Sequence, residues 1–131
     1  MAALHPRERT LLLAHGSRDP AWAQPFEAVL REFRARFPDR DAAIAYLQFM
    51  QPDLESALRT AGLQGIDHVR LVPLFLGNGR HLQCDVSDVV ARVCASQPNL
   101  RVSCADAAGL DSGVMRALVD FAAGGAAPTH G

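Results

Sequence analysis

At 131 residues, 49% apolar and 21% charged, the chain has the size and composition of one soluble globular domain. Its formal charge of −1 argues against a nucleic-acid or membrane-surface partner, and no apolar run approaches the ~20 residues of a membrane span. The start "MAALHPRERT" lacks the apolar stretch of a secretory signal, and Cys84, Cys94 and Cys104 include no Cys-x-x-Cys pair. These features point to a reduced, cytoplasmic protein without a disulfide framework or zinc ribbon.

"RTLLLAH" reads as a short strand buried on both faces and ended by Gly16. Asp19 then caps a helix with Pro20 at its first position, and Trp22, Phe26, Val29, Leu30, Phe33 and Phe37 follow at helical spacing. That stripe is read as core, and Pro25 is tolerated because it lies early in the helix. "DAAIAYLQF" predicts a second strand, and "PDLESALRTAG" a second helix stopped by Gly62. "DHVRLVPLFL" predicts the third strand and "HLQCDVSDVVARVCASQ" the third helix. "LRVSCAD" and "DSGVMRALVDFAAG" complete the series with a fourth strand and a terminal helix. The alternation predicts an α/β fold, a four-stranded parallel sheet covered by helices on both faces. One domain is expected over 10–124, between tails at 1–9 and 125–131.

In such sheets ligands bind at the carboxyl ends of the strands. His15 ends the first strand and His81 follows the third, so both are expected on one edge. Gly77 and Gly79 permit positive φ and leave room for a large flat ligand. His68 falls on the opposite edge and reads as structural, while His5 and His130 lie in the tails.

Several chemistries fail on their motifs. "GNGRHL" lacks the Gly-Lys-Ser/Thr ending of a phosphate loop and the third glycine of a dinucleotide fingerprint, so no nucleotide is expected. No Gly-x-Ser-x-Gly elbow surrounds Ser17, and no acid is placed to orient His15 as its base. A histidine-phosphatase-like site needs an arginine directly before the histidine, where Ala14 stands. Two imidazoles remain. They suit a divalent Fe, Co, Ni, Cu or Zn ion held weakly enough to be passed on, and imidazole also accepts protons near neutral pH. Inserting a metal into a tetrapyrrole needs both capacities, because two pyrrole N–H protons leave as the metal enters.

"LLLAHGSRDP", "AYLQFMQPDLESAL" and "VRLVPLFLGNGRHLQCDV" together give the chain its resemblance to a known family. It resembles the small-type sirohydrochlorin cobaltochelatases of cobalamin biosynthesis, within the sirohydrochlorin chelatase family. The resemblance implies a chelatase-like three-layer fold, a homodimer around a central cleft, and ATP-independent insertion of Co²⁺, Fe²⁺ or Ni²⁺ into sirohydrochlorin. It also implies that His15 and His81 bind the metal and remove protons. Substrate contacts are then expected from Ser17, Arg18 and Gln48 on one side, and from Gly77, Asn78, Gly79 and Arg80 on the other. The two arginines suit the carboxylates of sirohydrochlorin. Asp85, one helical turn past His81, is placed to orient its imidazole, although acids near helix N-termini also serve the dipole. Gln48 departs from the family's usual glutamate, so it can neither take up a proton nor lend a metal negative charge. A member that binds metal or tetrapyrrole without insertion is the alternative that this exchange keeps open.

Overall fold

The computed structural model describes residues 7–77 and 79–125. Asn78, His5, His130 and most of the two expected tails lie outside them. Four parallel strands, β1 (Glu8–Ala14), β2 (Asp41–Tyr46), β3 (His68–Pro73) and β4 (Arg101–Cys104), form one sheet in the order β2-β1-β3-β4. Helices α1 (Gln24–Arg36), α2 (Leu54–Leu63) and α3 (Arg80–Ser96) connect them, and α4 (Ser112–Ala122) follows β4. This is the α/β architecture the alternation predicts.

Side-chain alternation along β1 divides the core between two faces. Leu11 and Leu13 join Leu58, Ala61, Val69, Leu71 and Val93 beneath α2 and α3. Ala14 faces the other way and packs with Ala23 and Tyr46, flanked by half-buried Trp22 and Phe26. β1 pairs in parallel with β2 and β3, so its apolar run has hydrogen-bonded neighbours on both sides. At the amino edge His68 bridges three strands, with its ring nitrogens 2.8 Å from Glu8 Oε1 and 2.7 Å from Ser103 Oγ.

Four sequence expectations need correction. The helix expected to begin at Pro20 is split: Asp19 caps a 3₁₀ turn, Pro20–Ala23, and α1 starts only at Gln24. Pro25 has no N–H to donate, so an α-helical ladder cannot continue through it from the turn before. The apolar stripe is only partly core: Trp22 and Phe26 pack half-buried against the Ala14 cluster, and no residue of α1 is fully buried. Gly62 lies inside α2, and the chain leaves the helix at Gly65, whose φ is 82°. β2 stops at Tyr46, so Leu47, Gln48 and Phe49 belong to the turn beyond it.

Candidate functional site

The strand order reverses between β1 and β3, since the chain leaves β1 toward β2 and returns past β1 to reach β3. Neighbouring strands then send their connections apart, which opens a crevice at their carboxyl ends. His15 is the first residue beyond β1. Its carbonyl accepts a hydrogen bond from Gln48 N–H at 3.0 Å, one step beyond the bond from Leu47 N–H to Ala14 O. This ladder extends the β1–β2 pairing past both strands and ties their turns together. Gly16 makes the approach possible. Its φ is 93°, and a Cβ there would overlap the carbonyl oxygen of Gln48.

The other wall of the crevice is the loop after β3. Leu74 N–H donates to Leu13 O at 2.8 Å, and Gly109 N–H, in a 3₁₀ turn at Ala108–Leu110, donates to Phe75 O at 2.9 Å. Phe75 is thereby buried, and the His15 ring rests on it with centroids 4.4 Å apart and planes tilted by 38°. The loop then runs into α3, which Gly79 caps without a side chain. Arg80 and His81 are the first two residues of that helix, and both are exposed. No acidic residue stands in its first turn, so the positive end of the helix faces this edge uncompensated. Gly77 and Gly79 do not use positive φ. They do leave open space, because a Cβ on either would meet nothing within 4 Å.

A cavity of about 360 Å³ is lined by His15, Leu47, Gln48, Asp53, Leu54, Glu55, Leu82, Asp85 and Val89. It joins three of the sequence-derived residues, His15, Gln48 and Asp85, while His81 stands outside its lining. Asp53 is committed as the N-cap of α2, accepting from Ser56 N–H at 2.7 Å. Glu55 accepts from Arg92 Nη2 at 2.8 Å and from Arg59 Nη2 at 2.9 Å. These two arginines, Arg92 foremost, hold its carboxyl below the usual carboxylate range. Asp85 makes no hydrogen bond to either histidine among the described residues. Ser17 Oγ accepts from Asp19 N–H at 3.1 Å and is not bonded to His15, so no nucleophile–base pair forms. Arg18 lies over the ring of Phe49, with Cζ 4.5 Å from its centroid. Among the described residues no three His, Cys, Asp or Glu side chains gather closely enough to hold a metal.

Phe49, Phe75, Asp53 and Glu55 were not singled out from sequence. Phe75 sits within "VRLVPLFLGNGRHLQCDV", two residues before Gly77, where an aromatic ring beside a glycine-bearing turn is the available signal. Nothing in sequence marks Phe49, because its conformation depends on contacts made by both flanking turns.

An open parallel sheet with its strand order reversing beside a histidine-bearing turn defines an α/β protein built to take its ligand at that edge. The chain belongs to the CbiX family, whose model matches residues 9–123. The structure of a CbiX protein from Marinobacter aquaeolei VT8 superposes with a TM-score of 0.78 at 32% identity, covering 88% of this chain and 94% of that one. The sirohydrochlorin chelatase SirB of Bacillus subtilis subspecies spizizenii, solved in complex with cobalt, superposes at 0.75 with 27% identity. That match covers 86% of this chain and 48% of SirB. The sirohydrochlorin ferrochelatase of Bacillus subtilis (strain 168) is 28% identical over 112 residues, 86% of this chain. The chain spans 43% of that curated relative's length. No described helix is long and apolar enough to cross a membrane.

Glu55 gives a pH signature for the wall of this cavity. Its folded-state pKa lies below its unfolded value, so its contribution to stability is fully present above the unfolded carboxylate value of about 4.3. It is lost as pH falls through the lower, folded value. Thermal unfolding of Glu55→Gln should therefore fall below wild type at pH 7, and the difference should close in acid. A difference that stays constant across this range would contradict the account.

Proposed function

We propose that this chain is a sirohydrochlorin chelatase, inserting a divalent metal into sirohydrochlorin and releasing two protons without nucleotide hydrolysis. One observation carries the reading: at the point of strand reversal His15 packs on Phe75, the residue that leads through the glycines to His81. Family membership and the names of the relatives support the substrate. In the reaction two pyrrole N–H bonds break, the ring nitrogens close on the incoming M²⁺, and each imidazole takes a proton and passes it to water. His15 and His81 are the residues assigned to metal delivery and proton removal. Arg18, Arg80 and the start of α3 receive the carboxylates, Ser17, Gln48, Gly77, Asn78 and Gly79 are assigned to further substrate contacts, and Asp85 to a place behind the His81 imidazole. Two side chains hold a metal loosely, which suits a substrate ion. Co²⁺ is the first choice, with Fe²⁺ and Ni²⁺ as alternatives; one relative is named a ferrochelatase and another holds cobalt.

Gln48 favours a second reading, a member that binds metal or tetrapyrrole without insertion. It lines the cavity beside His15, where the family resemblance puts a carboxylate. Mixing the purified protein with sirohydrochlorin and Co²⁺ separates the two, because insertion changes the visible spectrum. The expected result is turnover above the metal-only background, with His15→Ala and His81→Ala each slowing it by about 100-fold or more. Wild-type rates at background would remove the enzyme reading, and full activity in both variants would remove the site assignment.

The active form is proposed to be a homodimer of single domains spanning 10–124, working in the reducing cytoplasm, where its three free cysteines are at home. Support for pairing comes from the surface. α4 buries none of its residues and leaves Phe121 81% and Val119 60% exposed, an apolar face unusual for a monomer. The crevice is also unwalled on one side, since His15, Arg18, Gln48 and His81 are exposed. Sedimentation should give a dimer at micromolar concentration and a monomer for Leu118→Glu with Phe121→Glu. A wild-type monomer would contradict the pairing.

A further inference from the structure

The turn after β2 holds an exposed aromatic ring in an unfavourable backbone conformation. Phe49 has φ of 66°, a region that bulky side chains enter only when their surroundings force it. The turn is the tight three-residue kind, closed by Met50 N–H donating to Gln48 O at 2.8 Å. Both flanks are pinned: Gln48 N–H bonds His15 O at 3.0 Å, and Tyr46 N–H bonds Pro52 O at 2.9 Å. Core packing does not account for the ring, which is 56% exposed. Glycine would adopt the same φ without cost and lose little buried surface.

What the ring does contact is Arg18. The guanidinium carbon lies 4.5 Å from the ring centroid, within the range of a cation–π interaction. Arg18 is exposed and makes no ion pair or side-chain hydrogen bond among the described residues. It stands three residues after His15, and Phe49 stands one residue after Gln48. The stack is thus a second clasp, beside the Gln48–His15 bond, between the two turns that form one wall of the site.

We infer that Phe49 is a positioning residue, whose ring holds the Arg18 guanidinium at the mouth of the crevice to receive a carboxylate from the rim of the bound tetrapyrrole. The inference rests on the chelatase reading above and adds a residue to it. Arginine loses several rotatable bonds' worth of freedom when it grips a ligand, and a ring beneath it removes part of that freedom beforehand. The fork of N–H donors stays available for a bidentate carboxylate contact. The unfavourable φ is then the cost of aiming a charged group.

Titration of metal-free sirohydrochlorin into the protein, followed by its absorbance, tests this without relying on insertion. Arg18→Ala and Phe49→Gly should each weaken binding by about tenfold, the scale of one lost charge-assisted contact. The double variant should lose no more than either single one, because both act through the same contact. Phe49→Tyr should bind as wild type does, and Phe49→Gly should unfold at or above the wild-type temperature. Wild-type affinity in Phe49→Gly would overturn the inference, as would losses that multiply in the double variant or a Phe49→Gly protein that unfolds well below wild type. Wild-type protein that binds but does not insert metal would remove the enzyme reading and leave this one standing. Wild-type protein that does not bind sirohydrochlorin would remove both.

Discussion

β1 is hydrogen-bonded on both sides, to β2 and to β3, and every feature of the site follows from that placement. Side chains pack against both faces of this strand, which is why residues 11–14 are all apolar and almost wholly inaccessible. The connections from β1 and β3 depart in opposite directions, so the polar groups just beyond them are left without a covering element. His15 is exposed while Ala14, one residue earlier, is fully buried. A rigid sheet therefore presents an exposed imidazole at a fixed place.

Around that edge the carboxylates are sorted by their neighbours. Asp53 is used in capping α2 and Glu55 is gripped by two arginines, so neither competes for a cation. Asp85 is the lining acid left without an internal partner among the described residues. The wall on the β2 side adds no charge, since Gln48 stands where the family resemblance expects glutamate. The result is a site poor in anionic ligands and bordered by Arg18, Arg80 and the positive end of α3. Such a balance favours a polyanionic macrocycle and disfavours tight retention of the metal itself. The proposed metal insertion needs that order of affinities, because a cation bound too firmly is not handed over.

The element order was legible because hydrophobic period and glycine placement are local signals. The buried run in β1 and the His-Gly pair after it sufficed to put His15 at the carboxyl edge. What the sequence concealed was non-local. Gly65 ends α2 in place of Gly62, which the packing of Gln97 against the helix keeps as glycine for a different reason. Phe49 read as the last residue of a strand, since no residue beside it reveals that the backbone of Gln48 is already bonded to His15. The glycines at 77 and 79 were read for positive φ and for room, and only the room is used. The stripe on α1 looked like core because helical spacing reports amphipathicity and says nothing of how completely the apolar side is covered.

The central claim is that His15 and His81, carried by separate turns, share one metal. X-ray absorption at the cobalt edge of the Co²⁺-loaded protein reads this most directly, through the multiple scattering that imidazole rings add to the first shell. Two imidazoles per cobalt in wild type, and one in His15→Ala or in His81→Ala, is the result the account requires. A spectrum of oxygen ligands alone, or one unchanged when either histidine is removed, would contradict it.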